Sequence, residues 1–394
     1  MLKVDGFSAS AVSADIRKNG GGRLDLGLIV ADKVATTAAV FTRNAVVAPP
    51  VDICRERVGR KGSARAVLVN SGNANCMTLF RGREDALRLS DKVAKLLDIP
   101  EELVLPCSTG VIGERLPIDR MEAALDPLVR ELSPEGLELF SQAILTTDTV
   151  TKTAVQEVTL KIGKVRVVGI AKGAGMIAPD MATMLGFILT DAGVSRYDLS
   201  QVLADAVADT FNSITIDGDM STNDTVILMA SGRGPAVKKS DDLEAFGEAV
   251  HTVCAALADM IVADGEGAAK VVNVRVTGAV DNEEAKKASR GIAESLLVKT
   301  AFAAADPNWG RIAAAAGYSG AAVDMEKISL SIGKVKVLED GEIVKGYDEA
   351  EAVKVMKRDR YEITLAIGDG EGEAVMKTCD LTEEYVRINS EYRT

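Results

Sequence analysis

The stretch that most restricts the fold is 165–192, VRVVGIAKGAGMIAPDMATMLGFILTDA. Two apolar runs, 165–171 and 184–189, read as buried strands. The loop between them holds Gly173, Gly175, Pro179 and Asp180, which predicts a hairpin. Ala182-Thr183 stands at the end of that loop, a small residue and a hydroxyl at the mouth of the second strand. A threonine hydroxyl is a weak nucleophile unless a base lies beside it. The chain has one histidine, His251, so a Ser/Thr-His-Asp triad is not the expected arrangement. If Thr183 were itself an N-terminus, its α-amine, with a reference pKa of about 7.7–8, would be the base. Taken alone, the segment reads as a Gly-rich β-hairpin.

A chain of 394 residues predicts two or three domains. Aromatic residues make up only 4% of it, which points to α/β layers packed through Ala, Val and Gly. A net charge of −12 without a visible basic patch excludes nucleic acid and anionic membrane as expected partners. No run of about 18 apolar residues appears, and Met1-Leu2-Lys3-Val4-Asp5 does not begin a secretory segment, so a cytoplasmic protein is expected. Cys54, Cys76, Cys107, Cys254 and Cys379 are scattered and form no CxxC pair. They read as buried reduced thiols, not as disulfides or a zinc site. Cys107 lies beside a catalytic-looking Ser-Thr-Gly element, and packing is its expected role.

Along the chain, 24–41 reads as two strands. The preceding Lys18-Asn19-Gly20-Gly21-Gly22 is a loop, because no GxxxxGK[ST] or GxGxxG follows. The strand 66–69 ends in Asn70-Ser71-Gly72-Asn73-Ala74-Asn75, read as a turn able to brace a site. Segments 84–97, 121–132 and 137–145 are predicted helices. A strand is expected to end at Pro106, followed by a Ser108-Thr109-Gly110 turn. Glycine permits close backbone approach and a threonine hydroxyl adds a donor, which is what an acyl-transfer oxyanion requires. Thr146-Thr147-Asp148-Thr149 reads as a capping or turn sequence. Lys172, at the end of the first hairpin strand, is either a solvated lysine or a point charge for a carboxylate. Helices are expected at 199–211 and 243–263. Between them, Asp217-Gly218-Asp219-Met220-Ser221-Thr222-Asn223-Asp224 lacks the spacing of a calcium loop and is expected to be a polar wall. Glu266 sits between glycines, an exposed loop acid by default. A strand at 271–276, a boundary at 281–287, a helix at 292–305 and two or three strands within 328–367 complete the reading.

The segment KGAGMIAPDMATMLGFILTDA resembles the self-cleavage segment of the ornithine acetyltransferase (glutamate N-acetyltransferase) family of arginine biosynthesis. VDGFSASAVSADI, LDLGLIVADKVATTAAVFTRNAVVAPPV, VLVNSGNANC, CSTGVIGERLP, AILTTDTVTK, IVADGEGAAK, ADPNWGRIAAAAGYSG and YVRINSEYRT extend the resemblance along the whole chain in family order. The resemblance implies a layered αββα-like α/β fold with a smaller C-terminal α/β subdomain at about 272–394. It implies cleavage between Ala182 and Thr183 into an α chain, 1–182, and a β chain, 183–394, associated as a heterotetramer of two of each. It further implies Thr183 as nucleophile and Thr109 with Gly110 as the oxyanion hole. Substrate contacts fall on Thr146, Lys172, Thr183, Glu266, Asn389 and Thr394. The activity implied is acetyl transfer from N-acetyl-L-ornithine to L-glutamate, through acetyl-Thr183, with ping-pong kinetics. Acetyl-CoA would be a further donor in a bifunctional member. No metal and no organic cofactor is expected. The alternatives are an N-terminal-nucleophile aminopeptidase or amidase, and a non-catalytic binding relative.

Overall fold

In a computed structural model, residues 2–17, 20, 22–161, 163–178 and 184–391 are described. The chain divides into two compact units, one formed by 1–212 with 220–261 and one by 213–219 with 262–393. In chain order the strands are β1 (Phe7–Val12), β2 (Leu26–Phe41), β3 (Ser63–Asn73), β4 (Val104–Val111), β5 (Lys152–Leu160), β6 (Gly163–Lys172), β7 (Leu185–Thr190), β8 (Ile214–Thr215) and β9 (Thr225–Ala230). They continue as β10 (Val271–Ala279), β11 (Ser329–Ile332), β12 (Val335–Glu339), β13 (Glu342–Ile343), β14 (Arg360–Ala366) and β15 (Gly372–Cys379). The helices are α1 (Pro49–Lys61), α2 (Leu79–Leu97), α3 (Ile118–Arg130), α4 (Leu137–Ala143), α5 (Arg196–Ala208) and α6 (Ser240–Ala263). After them come α7 (Asn282–Glu294), α8 (Leu296–Ala304), α9 (Trp309–Tyr318), α10 (Glu349–Met356) and α11 (Glu383–Glu391).

The first unit is one sheet in the order β4-β3-β2-β9-β7-β6-β5, with β1 also paired to β2. Side-chain alternation along its strands loads both faces. Leu26, Leu28, Val30, Ala66, Leu68 and Val104 form a core with Leu89 and Val93 of α2 and Met121 and Leu125 of α3. The alternate residues, Ile29, Ala31, Val67, Val69, Leu105 and Phe187, pack with Cys54 and Val58 of α1 and Phe140 of α4. Phe140 meets Phe187 edge to face, with ring centroids 5.3 Å apart. The expected hairpin forms as β6 and β7, with Lys172 paired to Leu185 and Val168 to Leu189. Gly169 is the close-approach point on β6. A Cβ there would lie 2.4 Å from Val253 and 2.7 Å from Leu257, so its absence lets α6 press against the sheet. α6 is long and apolar enough to cross a membrane by length and composition. Its Phe246, Val250, Val253, Cys254 and Leu257 are nonetheless fully buried in the protein, as in a core helix.

The second unit is a sheet in the order β13-β12-β11-β14-β10-β15-β8. Val272, Val274, Val276, Ile363 and Leu365 of its central strands form one core with Ile292, Val298, Phe302, Ile312 and Met356 of the helices. The mixed α/β class and the C-terminal α/β unit thus follow the expectation.

Several local expectations are corrected. Residues 24–41 make one strand, not two, because β2 exchanges partners along its length. It pairs with β3 up to Thr36 and with β9 from Thr36 to Phe41, shifting register between Val30 and Ala35. Asn70-Ser71-Gly72-Asn73 is no turn but the end of β3, held by parallel pairing to β4 that places Ser71 opposite Thr109 and Gly72 opposite Gly110. β4 likewise runs through Pro106, which an edge strand tolerates because one side of its backbone is not needed for the ladder. The helix expected at 292–305 breaks at Ser295, which ends α7 and caps α8 by accepting the Val298 N–H. Segment 281–287 opens α7, with Asp281 accepting the Glu284 N–H as its cap. Four strands, β11 to β14, stand where two or three were expected.

Candidate active site

The end of β4 carries Ser108, Thr109 and Gly110, and the Asn-rich end of β3 fixes it. Ser108 donates through Oγ to Asn70 Oδ1 at 2.6 Å, and Asn70 donates onward to the Asn73 carbonyl at 2.8 Å. Asn223 donates to the carbonyls of Ala74 and Ser108, at 2.7 and 2.9 Å, so one buried amide ties the two strands to the loop before β9. Gly110 has φ +130°, and a Cβ on it would fall 2.3 Å from the Gly72 carbonyl carbon. Only glycine meets both the conformation and the approach.

Thr109 is 5% exposed, and its Oγ1 accepts a hydrogen bond from Lys172 Nζ at 3.4 Å. Lys172 is no solvated surface lysine, since its side chain is 3% exposed. Its Nζ also lies 3.9 Å from Asp148 Oδ2. The Asp148 side chain is fully buried and holds Lys152 Nζ at 2.7 Å. The Gly173 N–H donates to Asp148 Oδ1 at 2.6 Å, and the Thr146 N–H donates to Oδ2 at 3.0 Å. Burial pushes the Asp148 carboxyl up, but Lys172, Lys152 and the Gly173 N–H outweigh it and hold the group well below the usual carboxylate range. Thr109, Thr146 and Lys172, which the resemblance implies as site residues, therefore meet in one cluster with Gly110 next to it.

Asp224 sits where β7 begins. It is fully buried and accepts the Met184 N–H at 3.1 Å, while the Thr225 N–H donates to the Met184 carbonyl at 3.1 Å. Burial pushes the Asp224 carboxyl well up, against the Met184 N–H and the positive field of Lys172. The residue after Thr183 is thus clamped on both sides of its backbone. Ala182, Thr183 and Thr394 lie outside the described residues.

In the second unit, Glu266 is buried rather than an exposed loop acid, and Asn389 of α11 donates to its Oε2 at 2.7 Å. The Thr382 hydroxyl donates to the Gly267 carbonyl at 2.6 Å, and the Tyr385 hydroxyl donates to Asp217 Oδ2 at 3.2 Å. Glu266 and Asn389, also implied as substrate contacts, are thus brought together. All five cysteines are buried and free. The Cys107 thiol is pushed well above its ordinary value by the adjacent Cys54 and by burial, which leaves it no thiolate for chemistry.

The chain matches the family model described as the ArgJ family over residues 8–394. It belongs to the ArgJ family. It is similar to the arginine biosynthesis bifunctional protein ArgJ of Geobacter sulfurreducens, at 45% identity over 396 residues and 100% of both chains. The glutamate N-acetyltransferase of Methanococcus maripaludis is 46% identical over 382 residues, 93% of this chain and 92% of that relative. Among solved structures, the arginine biosynthesis bifunctional protein ArgJ of Bacillus halodurans is similar at 41% identity with a TM-score of 0.50, covering 52% of this chain and 98% of that one.

Reading of this ArgJ-family sequence alone missed Asp148 and Lys152 as parts of the cluster. Asn70 fell in a turn read as able to brace a site, and Asn223 and Asp224 in a polar wall, with none of the three singled out. The one signal available was a density of small polar residues at 70–75, 146–149 and 221–225, segments read as turns or walls. Their convergence depends on strand pairings remote in sequence.

Proposed function

We propose that this chain is an autoprocessing acetyltransferase of arginine biosynthesis that moves the acetyl group of N-acetyl-L-ornithine to L-glutamate. The observation that carries the reading is the buried pairing of Thr109 with Lys172 beside Gly110. It supplies a hydroxyl and close backbone access where negative charge develops in acyl transfer. The name of the Methanococcus maripaludis relative, and the family resemblance of the 172–192 segment, support glutamate as acceptor.

Cleavage between Ala182 and Thr183 frees the Thr183 α-amine. That amine takes the proton of the Thr183 hydroxyl as Oγ attacks the acetyl carbonyl. Thr109 and Gly110 stabilise the oxyanion, and ornithine departs with the proton. Glutamate's amine then attacks the acetyl-Thr183 carbonyl, its proton passes through the Thr183 α-amine to Oγ as the ester C–O bond breaks, and N-acetylglutamate leaves. Thr146, Lys172, Glu266, Asn389 and Thr394 contact the amino-acid substrates. No metal or organic cofactor enters any step. The two chains, 1–182 and 183–394, stay together as a cytoplasmic heterotetramer. Half-length processing products accord with the Bacillus halodurans chain, which 52% of this one matches almost end to end. The word bifunctional in the relatives' names supports acetyl-CoA as a second donor.

The test is transfer of labelled acetyl to glutamate from acetylornithine and from acetyl-CoA, side by side. Label on N-acetylglutamate from acetylornithine is the expected result. Release as acetate alone would mean an amidase, and retention of all label on the donor would mean a binding protein.

A further inference from the structure

Asp148 belongs to no substrate contact or reacting group assigned above, yet both of its carboxylate oxygens are engaged in the cluster. Its carboxylate is fully enclosed and accepts from the backbone of Thr146 and Gly173, from Lys152 at 2.7 Å, and faces Lys172 at 3.9 Å. The β5–β6 register explains how this comes about. Lys152 pairs with Ala171, so the two lysines leave neighbouring strands at adjacent levels, and the 146–148 segment that precedes β5 brings the carboxylate between them. A buried carboxylate is costly unless its oxygens are satisfied, and here each oxygen has a backbone N–H as well as an ammonium. Such a group is rigidly placed.

We propose that Asp148 is a positioning residue that aims the Lys172 ammonium at Thr109 and so sets the direction of the Thr109 hydroxyl proton. This rests on the reading of Thr109 as an oxyanion donor. A threonine oxygen that accepts from an ammonium cannot direct its own proton back along that line. The proton is left pointing away from Lys172, and the cation polarises the O–H bond. Without Asp148, Lys172 would lose this carboxylate, and the Thr109 hydroxyl could rotate to satisfy itself elsewhere. Lys152 keeps the shared carboxylate ionised, so its role is exercised one residue further out.

The experiment is a double-mutant comparison in the self-processed protein at saturating acetylornithine and glutamate. Asp148→Asn is made in the parent and in a Thr109→Ala background. Asparagine keeps the size and one acceptor but loses the charge that holds Lys172. The expected result is a kcat lower by roughly ten- to a hundredfold in the parent, short of the 10²–10³ typical of losing an oxyanion donor outright. In the Thr109→Ala background the further loss is expected to be less than about threefold, because the group acted upon is gone. KM for acetylornithine should move less than kcat.

Asp148→Asn leaves two buried ammonium groups without their carboxylate and can prevent folding. Lys172→Met is therefore run in parallel, since it leaves the Asp148–Lys152 pair intact. Because Lys172 also contacts substrate, this arm is read on the rate of chain cleavage, which needs no amino-acid substrate. That rate should fall in the parent and change by less than about threefold further when Thr109 is already alanine. Where a variant does not reach full processing, the rate of chain cleavage replaces kcat in the same comparison. An equal fold-loss in both backgrounds would overturn the positioning role while leaving Thr109 as a donor. An unchanged kcat and cleavage rate in Thr109→Ala alone would remove Thr109 from the mechanism, and Asp148's role with it.

Discussion

At Asp224 the sequence offers an ordinary aspartate in a polar loop, and the fold turns it into a buried acceptor for the Met184 N–H. Burial raises its carboxyl in the folded state. The folded protein therefore holds that proton more tightly than the unfolded chain, whose value is about 3.9. Stability from this group is fully present below about 3.9 and is lost as pH rises from there through the raised folded value. Asp148 has the opposite sign, because its lowered carboxyl gives stability above about 3.9 that is lost on acidification through the folded value. Asp224→Asn keeps a carbonyl acceptor for Met184 and removes the titration. It should raise the Tm at pH values above about 3.9 and flatten the decline of Tm with rising pH. A variant whose Tm declines with pH as steeply as the parent's would show that Asp224 does not carry this cost. Gly110 gives a second prediction at this scale. Gly110→Ala combines a positive φ with a 2.3 Å approach to Gly72, and the backbone strain alone costs about 1–3 kcal/mol. Urea unfolding should show at least that loss, and an unchanged midpoint would contradict the close β3–β4 contact.

Among the elements, the β6–β7 hairpin and the amphipathic helices α2, α3 and α6 were legible because their signals are local. Apolar runs bounded by glycine, and a helical period, need no distant partner to be read. The ends of β3 and β4 were not legible. Asn70 to Asn73 has every local mark of a turn, and only its parallel pairing with a strand some forty positions away makes it extended. Pro106 stopped the expected strand because sequence does not reveal that β4 is an edge. The chemistry divides the same way. Thr109, Gly110 and Lys172 came from motif resemblance, whereas Asp148 needed the register that sets Lys152 against Ala171. Helix α11 carries its own test. None of its residues is buried, and it is held through Thr382, Tyr385 and Asn389. Asn389→Ala removes a hydrogen bond to a charged Glu266, an interaction of about 1.5–3 kcal/mol. The expected result is a kcat/KM for transfer lower by roughly tenfold or more, with chain cleavage at the parent's rate. Equal kcat/KM in variant and parent would reduce α11 to a tail.

For the whole molecule, the proposed mechanism brings self-cleavage and acetyl transfer to one atom, the Thr183 hydroxyl. A protein that cuts itself before Thr183 and then carries an acetyl group there must show both events on the same fragment. Thr183→Ala should abolish both, whereas Thr183→Ser keeps a hydroxyl and should retain cleavage. The most direct measurement is intact-protein mass spectrometry of the purified enzyme, mixed with acetylornithine in the absence of glutamate and quenched in acid. The spectrum should contain 1–182 unchanged and 183–394 heavier by one acetyl group, located at Thr183 by fragmentation. Addition of glutamate before the quench should return that fragment to its unmodified mass as N-acetylglutamate forms. An uncut chain, or a 183–394 fragment that transfers acetyl without ever carrying it at Thr183, would contradict the mechanism.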